Sequence, residues 1–247
     1  MPHISLKAEK IFDLFGLPIT NSYITSIIVI GLMFLVFYTY KKQVNRPPGK
    51  KSTLFYIIQY VINAIYDFFR PILGDKIDIC FPIAASFFLY ILLVNWFGLL
   101  PGVGSLLIKV GHGEEHHFIP LLRGTTADLN TTIGLGMMSV ILSQYFGIST
   151  LGIKEYVKKF YNLKNPISFF IGTLEIVSEF SKMLSFGFRL FGNIFAGEVV
   201  ISVIAFLIPV LATFPFLMLE FFVGFMQAVI FATLTSVFMN MAMSKAH

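Results

Sequence analysis

Charge is scarce in this sequence. Lys, Arg, Asp and Glu make up 13% of its 247 residues, about half of the roughly 25% that a soluble globular domain carries. The scarcity is uneven: residues 14–40, 81–108, 129–153, 199–219 and 221–244 hold no charge at all. Each run can supply the roughly 20 apolar residues that cross a bilayer as a helix, and the mean hydropathy of +0.81 agrees. The strict alternation of outer-membrane strands is missing as well, which leaves helices as the spanning elements. Cys80 is the only cysteine, which excludes an internal disulfide and a thiolate metal cluster. No glycine loop of the GxxxxGK type occurs, so any nucleotide chemistry belongs to a partner chain, and no cofactor is expected.

The charges that remain are informative by position. The net charge of +5 is not a nucleic-acid footprint. Most of the basic excess lies in two short connections, Lys41, Lys42, Arg46, Lys50, Lys51 and Lys154, Lys158, Lys159, Lys164. A first span over about 21–40 ends at Lys41-Lys42. It is longer than the apolar core of a secretion signal, and its flanking charges follow it, so it is expected to be retained. Pro47-Pro48 stops the helix. Residues 52–71 are apolar but for Gln59, Asn63, Asp67 and Arg70 at helical spacing, which predicts an amphipathic helix at the interface or against other helices. A second span covers about 79–100, an external loop 101–127, and a third span about 128–150. Two spans separate the basic linkers, so both lie on one side. The positive-inside rule makes that side the cytoplasm, or its organellar equivalent, with the N-terminus outside. The basic pairs serve orientation first and contact with lipid headgroups second.

The stretch 166–244 is unusual for what it lacks. Asn165-Pro166 is a good helix start, and no strong breaker follows before Pro209, nor after Pro215. A helix of about 40 residues is roughly 60 Å long, about twice the hydrocarbon thickness. It must break, or tilt strongly. The expected architecture is an all-α polytopic membrane protein of about five transmembrane helices plus one amphipathic helix, the last two helices (166–208 and 210–244) long and tilted, with the C-terminus on the basic side.

Polar residues in this stretch share faces. Glu175, Lys182 and Arg189 are seven apart, a step that drifts only about 20° around a helix. Glu198, nine residues past Arg189, falls on the opposite face, while Glu220 and Gln227 are again seven apart. Glu175, Glu179 and Lys182 lie near the basic end at spacings that permit local ion pairs, so simple helix glue is an open reading for them. Arg189, Glu198 and Glu220 sit among Phe, Leu, Val and Ile, where a charge costs roughly 2.5–3.5 kcal/mol or more, and an ionisable residue there is a functional candidate. Arginine does not release its proton; the glutamates can bind and release theirs. One fixed cation between titratable groups suggests a proton path with an electrostatic barrier in it.

These residues carry a resemblance. Arg189-Leu190-Phe191-Gly192-Asn193, continuing to Gly197-Glu198, resembles the signature of subunit a of the rotary F-type ATP synthase. Asn95-Trp96-Phe97-Gly98-Leu99-Leu100-Pro101 resembles that family's Asn-x-x-Gly-Leu-x-Pro, Thr126-Ala127-Asp128-Leu129-Asn130 its Thr-Ala-Asp-x-Asn, and Glu220 with Gln227 the polar pair of its final helix. The resemblance implies two long tilted helices against a rotating ring of c subunits, with Arg189 facing the ring carboxylate and Asn193 and Gln227 beside it. It implies one half-channel holding Glu198 and Glu220, with Asp128 and Asn130 near its outer mouth, and Glu175 in the other. Peripheral stalk b subunits, the rest of the F1F0 complex and membrane lipid are the implied partners. The family often has a histidine where this chain has Glu198 or Glu220. Asp128 also reads as an ordinary helix N-cap.

His112, His116 and His117 with Glu114 and Glu115 lack a helical zinc-binding pattern and are expected to form a solvated polar loop, with no metal. A secondary transporter that binds an anion at Arg189 is the alternative function; such folds usually carry internal repeats, and the two halves show none. A scaffold would not need three charges in hydrocarbon. The expected location is a bacterial plasma membrane, the alternative an organellar inner membrane.

Overall fold

The computed structural model describes residues 8–14, 16–104, 106–110, 117–160, 166–208 and 212–244. Asn165, Pro209 and the histidine-glutamate segment 112–116 lie outside them. Five helical segments of the described chain are long and apolar enough to cross a membrane, and they set an all-α polytopic architecture.

Helix α1, Asn21–Val44, starts where Thr20 accepts the Tyr23 N–H at 3.4 Å and carries Lys41 and Lys42 in its last turn, the cationic end that its dipole favours. Helix α2, Thr53–Leu73, is capped by Ser52 and presents Phe55, Ile65, Phe69 and Leu73 inward. On its polar stripe Tyr40 donates to Gln59, which donates to Asn63 at 3.0 Å. A 3-10 turn over Gly74–Lys76 leads into α3, Ile77–Gly98. Helix α4 covers Leu129–Leu151, and the short α5, Ile153–Phe160, follows Gly152, whose φ of 81° suits glycine. Then come the two long helices, α6, Pro166–Leu207, and α7, Thr213–Ala242. Helix α6 runs 42 residues without interruption, about 60 Å, so the missing breakers leave the helix whole. It exceeds the bilayer core and must lean or protrude.

Following the chain through these helices brings both basic linkers and the end of α7 to one end of the bundle. There Lys76 donates to the Asn240 carbonyl and side chain and to Ser244, at 3.1–3.3 Å. The opposite end is built from irregular chain. The composition did not announce two antiparallel hairpins there, β1 (Lys10–Leu14) with β2 (Leu17–Thr20), and β3 (Leu107–Val110) with β4 (His117–Pro120). The second lies inside what the sequence predicts as loop 101–127. Strands of four or five residues are too short for their alternation to stand out.

Helix α3 packs along α7, and α4 along α6. Phenylalanines fill the centre: Phe231 lies 5.1 Å from Phe186 and 5.4 Å from Phe87, between ring centroids. Between α4 and α6 the backbones nearly touch. A Cβ on Gly136 would sit 2.6 Å from the Met183 carbonyl oxygen, and one on Gly187 would sit 2.9 Å from Ile133 Cα. Small residues allow such approach in membranes, where apolar burial drives association little. Backbone cannot yield as a side-chain tip can, so Gly136→Val should cost about 1–3 kcal/mol. Thermal unfolding in detergent should show a midpoint lowered by several degrees, and an unchanged midpoint would contradict this contact.

Candidate functional site

Asn95 organises the end of the bundle opposite the basic linkers. Its Nδ2 donates to the Gly224 carbonyl of α7 at 2.9 Å, and its Oδ1 accepts from Thr126 at 2.7 Å. Trp96 donates to the Phe221 carbonyl at 3.2 Å and stacks on the Phe221 ring at 4.2 Å. Gly98 admits Gly124: an added Cβ would approach its Cα to 3.2 Å. The Asn-Trp-Phe-Gly motif and the Thr-Ala-Asp segment thus meet each other and α7. The last turn of α3 is thereby fixed against the middle of the final helix. Loop 120–127 is held from the other side by α1, where Asn21 donates to the Pro120 carbonyl at 3.2 Å and Thr25 accepts the Arg123 N–H at 3.3 Å.

These parts enclose a cavity of about 390 Å³, lined by Glu9, Asn95, Arg123, Glu198 and Glu220 among apolar neighbours. Room for on the order of ten waters follows, at roughly 30 Å³ each. Arg123, 7% exposed, stands 3.8 Å from the Glu198 carboxylate, an ion pair too long for a hydrogen bond. Glu220, 6% exposed, leaves its Oε1 without a hydrogen-bond partner. Its carboxylate lies over Gly197, in the space that a Cβ there would fill. Glycine at 197 is therefore what lets the α7 glutamate lie against α6, one residue from Glu198.

Arg189 lies away from this cavity, exposed near the middle of α6. Its hydrogen bond is to Ser185, one turn back, at 3.4 Å, and among the described residues no carboxylate pairs with it. It shares a crevice of about 10 Å³ with Gln227, Phe186 and Leu190, so the seam between α6 and α7 runs beside the guanidinium. Asn193, one turn further on, is exposed like Arg189. The resulting arrangement has a fixed cation on the outer face of a long apolar helix. Two glutamates lie behind it in a separate pocket.

The family described as ATP synthase A chain matches residues 21–240. This chain belongs to that family. As an ATP synthase A chain it is a proton-translocating subunit of the membrane sector and part of the F1F0 complex, and it works on ATP synthesis through proton transport.

The remaining positions singled out from the sequence fall in three places. Asp128 occupies the N-cap position of α4, but its carboxylate accepts from the Thr131 hydroxyl at 3.0 Å, not from a backbone N–H, and its Oδ1 is buried without a partner. Asn130 is exposed on the first turn of α4. Neither lines the cavity, although Thr126 and Ala127 do. Glu175 is half-buried toward the basic end, and Glu179 beside it pairs with Lys182 at 2.7 Å, so local pairing accounts for those two. The charges of Glu179 and Glu175 reach Tyr156 on α5. Burial first, and then those charges, push its phenol up to about 12, so it stays protonated and donates to Gln144.

Sequence reasoning passed over Arg123 because it falls in a loop, outside every uncharged run. A signal existed: it is the only Lys or Arg between Lys109 and Lys154. It also precedes the small residues Gly124-Thr125-Thr126-Ala127, the last three buried.

Proposed function

We propose that Arg189 is the fixed charge against which a ring of small c subunits turns, each bringing one carboxylate past it. The observation that carries this reading is the exposure of Arg189 midway along an unbroken helix whose surface is otherwise fit for lipid. A permanent cation facing hydrocarbon is costly, and Arg cannot neutralise itself by deprotonation. An ionised carboxylate arriving at the same depth relieves that cost, while protonated carboxylates can travel through lipid. The guanidinium thus favours proton release as each carboxylate passes and blocks direct leakage across the seam. Asn193 and Gln227 flank the contact.

In this reading the Glu198–Glu220 cavity is the half-channel open to the external side, with Asp128 and Asn130 near its mouth, and Glu175 belongs to the half-channel on the basic side. The placement of both basic linkers at one end supports a cytoplasmic C-terminus and an external N-terminus by the positive-inside rule, in a bacterial plasma membrane or an organellar inner membrane. The long α6 and α7 lie tilted against the ring, and peripheral stalk b subunits complete the stator. A transporter holding an anion at Arg189 would need an enclosed site of some 300 Å³ or more; the crevice beside Arg189 is about 10 Å³.

The test is physical association. Purified through a tag on this chain, the protein should bring down a ring of small apolar subunits with one mid-span carboxylate each. Asn193→Cys should form disulfides with a cysteine introduced beside that carboxylate. Purification alone, with transport of a solute by the isolated chain, would replace this reading with the transporter.

Arg123 should matter to the external half-channel. Its loss leaves Glu198 beside other carboxylates with no cation. Arg123→Met is expected to slow proton-driven ATP synthesis about tenfold, equivalent to about 1.4 kcal/mol of barrier, with Arg123→Lys retaining more. Equal rates for Arg123→Met and the parent would show the pair to be incidental.

A further inference from the structure

The cavity has a third carboxylate, and it comes from outside the helical bundle. Glu9 precedes strand β1, and residues 21–240 are those that match the family, so the resemblance says nothing about it. The backbone of Glu9 is fixed twice by one buried side chain and its own amide. The Glu9 N–H donates to Asn21 Oδ1 at 3.2 Å, and the Asn21 N–H donates to the Glu9 carbonyl at 3.1 Å. Asn21, fully buried, also bonds Pro120, so the residue 9 backbone is anchored to the same loop that carries Arg123. The side chain takes no part in this anchoring. Its Oε2 is buried with no hydrogen-bond partner, and the residue lines the cavity.

We infer that Glu9 is the outermost proton acceptor of this cavity, taking protons from external water and passing them inward toward Glu220. The inference rests on the half-channel reading above. Three observations support it together. Glu9, Glu198 and Glu220 line one cavity with Arg123 as the cation facing them, so carboxylates outnumber guanidinium and a passing proton improves the balance. Glu9, Glu198 and the nine-tenths buried Glu220 each keep an oxygen without a hydrogen-bond partner, which leaves that oxygen available to take a proton. The Glu9 backbone is anchored through Asn21 while its side chain is not, so the carboxylate is left to face the cavity.

The step balances simply. A hydronium ion outside gives its proton to the Glu9 carboxylate and leaves as water. Neutral Glu9 then passes the proton through cavity water to the Glu220 carboxylate and returns to its ionised form. Arg123 stays charged throughout and disfavours a free hydronium lingering beside it, which makes a carboxylate on the rim useful. Among the described residues, Lys10 and Asp13, paired at 2.6 Å on the exposed hairpin, are the nearest charges along the chain and neutralise each other.

The complete ATP synthase in liposomes tests this. With the membrane potential clamped, initial rates of ATP synthesis are measured against the pH of the proton-source side. Glu9→Gln should lower the rate about tenfold at alkaline source-side pH, less than the 10²–10⁴ of a group in a chemical step, and approach the parent at acidic pH where hydronium is plentiful. Glu9→Asp should keep most of the activity. A Glu9→Gln profile that superimposes on the parent overturns the inference. So does equal failure of Glu9→Gln and Glu9→Asp with loss of membrane-bound complex, which would make Glu9 structural. Arg189→Ala, run in parallel, separates the levels: if it retains synthesis the half-channel reading falls, whatever Glu9 does.

Discussion

Arg189→Ala is expected to reduce proton-driven ATP synthesis in reconstituted vesicles to background, a loss of at least about 100-fold, equivalent to roughly 2.7 kcal/mol. The chain should still fold, because Arg189 makes one long hydrogen bond, 3.4 Å to Ser185, and its side chain is exposed. Taking a charge off an apolar surface removes a cost of insertion, so the variant should be recovered at parental levels. The damage is functional. On the proposed stator reading, a ring carboxylate without a cation opposite it would have no reason to ionise at the seam, and both half-channels would then see the same neutral ring. Arg189→Lys sharpens the argument. Lys keeps a charge but is a point donor that can lose its proton when dried, whereas guanidinium is planar and permanently charged. It should recover little synthesis and permit some passive proton leak. Full synthesis by Arg189→Ala would remove the basis for the stator reading.

Much of the architecture was legible because membrane insertion imposes simple constraints. Uncharged runs that cross hydrocarbon have to be helices, since hydrocarbon leaves backbone groups no other partners; α1, α3, α4 and α7 each take most of one, whereas the run 199–219 is divided between the end of α6 and the start of α7. The unbroken α6 was readable from the distance between Pro166 and Pro209. Arg189, Glu198 and Glu220 stood out because charge in an apolar run is expensive. What the chain hid was tertiary. Arg123 and Glu198 are 75 residues apart, and only the fold of loop 120–127 over the end of α6 brings them within 3.8 Å. Asp128 shows the opposite failure. Its position fits an N-cap by type and place, yet its oxygen goes to Thr131, because capping depends on a rotamer that residue type does not fix. Glu9 lies in a stretch with no periodicity, and its place beside the cavity depends on where Asn21 ties it.

Gly197 is the place where a single methyl group should have the next largest effect. A Cβ there would overlap the carboxylate carbon and both oxygens of Glu220. What it meets is the far end of a flexible side chain, so the helices need not separate and Glu220 can rotate away for about 1 kcal/mol of rotamer strain. Gly197→Ala should therefore assemble almost normally. Glu220, displaced, would no longer stand against α6 beside Glu198, and proton-driven synthesis should fall about tenfold. Gly197→Val should fall as far as Glu220→Gln. If both act by removing the Glu220 carboxylate from one spot, the double variant Gly197→Val with Glu220→Gln should be no worse than either alone, since effects through a shared group do not add. Shortening the acid supplies the reverse test. In Gly197→Ala, replacing Glu220 with Asp withdraws the carboxylate by one methylene and should recover part of the rate. Additive losses in the double variant, or parental rates for Gly197→Val, would mean that the close approach of Glu220 to α6 plays no part in moving protons.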